Sequence, residues 1–295
     1  MTVKNGFVNS YDSRNGAYDT TSNSLKNGDI TVTDGGAEVD SSGSVDGSIT
    51  ASGEIGVKKV NSVSGDVMAN STDDLGDCDP LHMVDYTDDD GVDQEGEINK
   101  IAATGGTVRT IYKNSNVFTD GNVYVYNEFN TTGNDVLITG DVTIYVKGDI
   151  TTKNTAFTLA NTSSSLTIYT AGQIDIKNNT TTVYANGNAL SIDADNKVPV
   201  SIYSSYISTP TKKDEDLGLS VTSNAEIYAR VYMPNGNVSL TGGGNIMGSV
   251  RGNEVSVSSA TAIHYDEALA DINDIAGENN TPTSYSSVAY YYPDE

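Results

Sequence analysis

The chain has 295 residues, 36% of them hydrophobic, and 40 Asp and Glu against 16 Lys and Arg give a formal charge of −24. That charge excludes a nucleic-acid binder and disfavours anionic membrane surfaces, because phosphate groups are repelled. A single cysteine, Cys78, excludes an internal disulfide, and no apolar run approaches the roughly 18 residues of a membrane span.

The apolar residues are mostly β-branched: 28 Val and 20 Ile stand against 11 Leu. Such side chains suit pleated strands better than helices. Gly, Asn, Asp, Ser and Thr fill the intervals, and these are turn residues. The expectation is a chain of many short strands with little helix.

The N-terminus, MTVKNGFVNSYDS, lacks the hydrophobic core of a signal peptide. It is read as starting inside a longer natural chain. Residues 1–70 form an entry segment with short alternating words after glycines: GDITV (28–32), GSI (47–49), GEIGV (53–57) and GDV (65–67). Gly turns the corner and a short strand follows. Residues 71–105 are an acidic excursion with almost no alternating apolar residues.

Residues 106–262 carry the main repeat. VTIYV (142–146), LTIYT (166–170), VSIYS (200–204) and AEIYA (225–229) alternate apolar and polar residues, with a shorter TIYK at Thr110. Alternation of period two is the signature of a half-buried strand. The Tyr of each word falls at 112, 145, 169, 203 and 228, spacings of 33, 24, 34 and 25. A basic turn near 24 residues, with lateral loops such as 209–218, fits stacked repeats. The fold class expected is all-β, a right-handed parallel β-helix (β-solenoid). In it Val142, Ile144 and Val146 stack on Leu166, Ile168 and Thr170, and Tyr145 stacks on Tyr169 one strand spacing away.

Residues 263–295 change character. Leu269, Ile272 and Ala276 fall at helical spacing, and Asp266 suits an N-cap. A short C-terminal helix is expected to cover one end of the stack, with a tail behind it.

Few residues group for chemistry. Asp141, Asp149, Asp175, Asp193 and Asp195 could line one face, but each has a turn-like context. The basic residues of the repeats, Lys147, Lys153, Lys177 and Arg230, form no group. The two histidines, His82 and His264, have no metal-ligand partner at short spacing. No catalytic residue is assigned. The one candidate metal site is DYTDDDGVDQEGE (85–97), a near miss of a calcium loop, in which Asp88, Asp90, Asp93 and Glu97 supply oxygens. A solvated acidic loop explains the same residues without an ion. Tyr112, Tyr145, Tyr169, Tyr203 and Tyr228 form an exposed stripe in this reading. It either shields the sheet as an aromatic ladder or grips glycans or another protomer.

Two blocks carry a family resemblance. They are FVNSYDSRNGAYD (7–19) and YMPNGNVSLTGGGNIMGSVRGNEVSVSSATAIHYDEAL (232–269). Together they resemble the β-helical ectodomain of PilX-type pilus-assembly-associated bacterial envelope proteins. Tyr11, Asp12, Ser13 and Gly16 match the entry pattern, with Asn9 where Asp is usual. Pro234, Asn235, Gly242, Gly248, His264, Tyr265, Asp266, Glu267 and Leu269 match the ending, and CDPL (78–81) is a further shared word. The resemblance implies a β-solenoid outside the cell and no enzyme. It also implies contact with a membrane only through a segment that this chain lacks.

The functional expectation is a non-enzymatic structural or adhesive protein at the bacterial surface. Its partners would be pilus or filament components, or glycans. One alternative is a polysaccharide lyase or hydrolase on the same scaffold. Another is a self-polymerising rod, which needs open apolar ends.

Overall fold

A computed structural model describes residues 1–73, 75, 117–119, 124–209, 216–270 and 272. For the backbone alone it also describes 86–87, 93–94, 109–110, 271 and 287–289. The protein is all-β with almost no helix. Among the described residues the helices are two short 3-10 turns, Ser13–Asn15 and Glu267–Asp271. No helix among them is long and apolar enough to cross a membrane.

The strands lie in three parallel rows. The first is a ten-stranded sheet. It runs from Arg109–Thr110 and Phe129–Asn130 through Ile150–Lys153, Ile174–Lys177, Leu217–Thr222, Asn237–Thr241 and Val255–Ser258. It then continues into Thr2–Lys4, Ala37–Val39 and Ile55–Val57. The larger sheet holds the other two rows. One contains Val136–Thr139, Ala156–Leu159, Thr181–Tyr184, Ala262–Asp266 and Phe7–Tyr11. The other contains Asp141–Val146, Ser165–Thr170, Val200–Ser204, Ile30–Val32 and Ile49–Ala51. The long strands Glu226–Met233 and Asn245–Gly252 pair side by side and serve both rows.

The register follows the alternation. Val142, Ile144 and Val146 sit opposite Leu166, Ile168 and Thr170, and Tyr145 sits opposite Tyr169. The β-branched columns point inward and are almost wholly buried; Ile144, Ile138, Val221 and Val257 are each 0% exposed. Corners stack as well. Asn154, Asn178 and Asn224 all adopt positive φ, where Asn is tolerated because its amide bonds locally. At Gly172 the backbones of successive turns touch: an added Cβ would lie 2.2 Å from the Gly148 carbonyl carbon. Gly172→Ala is therefore expected to cost about 1–3 kcal/mol through forced backbone movement, read as a lower urea midpoint at unchanged slope.

The structure corrects the expected end-covering helix. Asp266 does cap a turn, accepting from the Ala268 N–H. That turn is 3-10 and ends after five residues, because Ala268 and Leu269 are drawn into the core. No end remains there to cover. Ala262–Asp266 has Asn245–Gly252 on one side and the N-terminal strand Phe7–Tyr11 on the other. The entry strands thus follow the last main strands in the stack rather than preceding the first ones. Their own far edge is open among the described residues. Ile55–Val57 pairs only with Ala37–Val39, Val67–Met68 only with Ile49–Ala51, and Val57, Val60, Val67 and Met68 are exposed.

Candidate functional site

Parallel pairing of Phe7–Tyr11 with Ala262–Asp266 places Asn9 beside His264 and Tyr11 beside Asp266. These residues are 255 positions apart in sequence and build one buried polar cluster. His264 Nδ1 lies 2.6 Å from Asn9 Oδ1. The Asn9 amide nitrogen donates to Tyr18 OH and Ser24 Oγ, both at 3.0 Å, which fixes its oxygen toward the imidazole. The ring of His264 stacks on Tyr18 at 3.8 Å between centroids, and Phe7 meets it edge-on. Burial holds the imidazole down to about 4, so it is neutral near pH 7.

Asp266 is the hub and is 0% exposed. It accepts from the Ser13 N–H at 2.9 Å, the Ala268 N–H at 3.1 Å and the Tyr228 hydroxyl at 2.7 Å. Burial raises its carboxyl above the ordinary value, against those hydrogen bonds. Burial and the neighbouring Asp266 charge push the phenols of Tyr11 and Tyr228 well above theirs. Glu267 accepts from Ser10 Oγ at 2.7 Å and from the Asn27 amide at 2.9 Å. The paired strands Phe7–Tyr11 and Ala262–Asp266 with this cluster form a clasp, and the loop that leaves Tyr11 is tied by Asn23, whose amide donates to the Asp12 and Gly16 carbonyls. Gly28 permits the return path, since an added Cβ would lie 2.5 Å from Asn9 Cα. Ser13 Oγ also accepts from the Ile192 N–H at 3.1 Å, binding the 185–199 excursion to the same cluster.

A cavity of about 220 Å³ opens beside this cluster. Tyr11, Tyr18, Thr182, Leu190, Glu226 and Tyr228 are among the residues that line it. Neither His264 nor Asp266 lines it.

The tyrosines of the repeat divide. Tyr145, Tyr169 and Tyr203 form a ladder with centroids 5.3 and 5.1 Å apart and nearly parallel planes. They are buried, not exposed, at 6%, 5% and 4%. Tyr228 leaves the ladder and bonds Asp266; Tyr232 takes its place opposite Tyr203. The reason is register: the first half of Glu226–Met233 belongs to a different row from the second. Tyr112 lies outside the described residues. So do Asp88, Asp90 and Glu97 of the expected calcium loop, and of Asp93 only the backbone is described, in a short strand paired with Tyr86–Thr87. Cys78 and His82 also lie outside. Among the described residues no group of three or more His, Cys, Asp or Glu could hold a metal ion.

The five candidate carboxylates are engaged locally or apart. Asp141 pairs with Lys197 and accepts from Ser165; burial pushes it up, but these partners outweigh burial and hold it low. Asp149 accepts from the Gln173 N–H, Asp175 pairs with Lys177, and Asp193 caps the turn before Lys197. Asp195 is exposed on that turn.

Residues 82–272 match the profile of a family described as a domain of unknown function (DUF7305). The chain belongs to that family. No curated protein and no solved structure matches it. The family's matched span closes at Ile272, just past the Asp266 hub and its 3-10 turn.

Sequence reasoning missed the clasp itself. Its signal was present: Asn9, Tyr11 and Ser13 in one shared word, His264, Asp266 and Glu267 in the other.

Proposed function

We propose that this member of the family is a non-enzymatic structural or adhesive protein of the bacterial surface, associated with a pilus or extracellular filament. The three parallel rows support a right-handed parallel β-helix, since crossovers between parallel strands are right-handed in about 98% of cases. One observation carries the non-catalytic reading. The buried carboxylate of Asp266 and imidazole of His264 are engaged in tying the two ends of the fold together and do not line the cavity, where Glu226 is the one carboxylate among the lining residues and has no imidazole or second carboxylate beside it there. A lyase or hydrolase needs acid and base groups facing substrate. The acidic surface suits an extracellular rod kept dispersed by self-repulsion.

The test has two arms. Purified protein incubated with polygalacturonate and with alginate is expected to release no reducing ends. In cells of the bacterium that makes it, externally added protease is expected to cleave it while a cytoplasmic marker stays intact. Turnover of either glycan, or full protection on intact cells, would contradict the proposal.

The open far edge favours a second reading, end-to-end self-association. Among the described residues, Val57, Val67 and Met68 sit on strand edges with no further partner, of the kind that template pairing, and Val60 is exposed on the turn between them. Sedimentation velocity over a concentration series separates the two, because only a polymer grows with concentration.

A further inference from the structure

We infer that the cavity beside the clasp binds one uncharged sugar ring, which deepens the adhesive reading above and rests on it. Its lining includes hydroxyl and carboxylate groups with hydrogen-bonding capacity to spare. Tyr11 lines the cavity, and no hydrogen bond to another described residue uses its phenol. The hydroxyl is not sealed from solvent, so a ligand or water entering the cavity can meet it. Tyr18 OH accepts from Asn9 and keeps its own proton to donate. Thr182 Oγ1 accepts the Tyr228 N–H at 2.6 Å and likewise keeps its proton. The Thr181 hydroxyl adds a further donor, and the exposed Glu226 carboxylate supplies acceptor oxygens at the wall.

Donors and acceptors around one cavity match a ring of hydroxyl groups, each of which gives and takes a hydrogen bond. Leu190 and Met247 offer the apolar surface that the C–H face of a sugar needs. Size agrees: about 220 Å³ exceeds the ~150 Å³ that holds a benzene ring, and leaves room for substituents. An anion is disfavoured by Glu226 and by the overall charge of −24. A cation cage is not built, because Tyr18 gives a face to His264 and meets Tyr11 edge-on at 6.0 Å.

The experiment is saturation-transfer NMR on the full chain with the methyl glycosides of glucose, galactose and N-acetylglucosamine. At least one is expected to bind at about millimolar Kd, as befits a single ring. Tyr11→Phe removes a hydroxyl that bonds no other described residue, so its melting temperature should stay close to the parent's. Its affinity should fall about tenfold, and Glu226→Gln should weaken binding similarly. Absence of saturation transfer at tens of millimolar for all three probes would overturn the inference and leave water as the occupant. Binding that Tyr11→Phe and Glu226→Gln leave unchanged would overturn it too, by placing the sugar elsewhere. A chain that binds no sugar yet is cleaved on intact cells fails this inference alone and leaves the surface reading standing.

Discussion

Asp266→Ala is expected to lower the stability of the protein by about 4 kcal/mol. The substitution removes the acceptor for three donors at once: the backbone N–H groups of Ser13 and Ala268 and the Tyr228 hydroxyl. Ser13 is 2% exposed, Ala268 0% and Tyr228 4%, so water replaces little of what is lost. Each stranded buried donor costs about 1–3 kcal/mol. Burial of the carboxylate opposes part of this, since the folded state holds its pKa above the ordinary value. Asp266→Asn separates the two effects. Its amide oxygen still accepts from both backbone groups, while its NH₂ meets a Tyr228 oxygen that can turn to accept. A loss of about 1 kcal/mol is expected there, measured as the urea midpoint at unchanged slope. Equal losses for Ala and Asn would show that charge, not the three hydrogen bonds, carries the hub.

Acid should weaken the fold through His264 before most carboxylates titrate. The ordinary imidazole value is 6.5 and the folded one is about 4, lowered by burial. Above pH 6.5 the ring is neutral in both states and its contribution is complete. Between 6.5 and 4 the unfolded chain takes up a proton that the folded chain refuses. Stability then falls by about 1.4 kcal/mol per pH unit, roughly 3 kcal/mol in all, and this loss stops below pH 4. Asp266 acts in the opposite sense. Its raised folded pKa adds stability as pH falls through that value toward the ordinary carboxylate range. The comparison of parent with His264→Gln isolates the imidazole. Urea midpoints at pH 7, 5.5 and 4 should converge toward acid, with the parent losing its advantage across that window. A constant difference between the two proteins would show that His264 protonates freely in the fold.

Much of the local structure was legible in the sequence. Alternation fixed which side chains point inward, and the xIY words gave the pairing of Ile144 with Ile168 and Tyr145 with Tyr169 in the observed register. Parallel stacking followed from similar words repeated in one direction. Three features were not legible, each for a physical reason. The entry strands Thr2–Lys4 and Ala37–Val39 are three residues long and of ordinary composition, so nothing in them names a neighbour. The place of Thr2–Lys4 beside Val255–Ser258, with Ala37–Val39 next in line, is set by long-range contacts, above all Asn9 with His264 and Ser13 with Asp266. The helical spacing of Leu269 and Ile272 was real, but the core captured Ala268 and Leu269 within one turn. Tyr228 shares its word with Tyr203 yet sits in another row, because Glu226–Met233 is long enough to serve two. The candidate site was visible only as two separate words. What joined them was three-dimensional: a strand pair closing across 255 positions.

The N-terminal strands stack directly on the C-terminal ones. Spin labels at Lys4→Cys and Ser258→Cys, in a Cys78→Ser background, report on that junction. These positions are register partners on adjacent strands, so their Cα atoms should lie about 5 Å apart, and the continuous-wave spectrum should show strong dipolar broadening. If the ten strands of that sheet instead stacked in chain order, nine strand spacings would separate the two sites, about 40 Å. An unbroadened spectrum with a pulsed-dipolar distance near that value would show that the two ends of the chain do not meet.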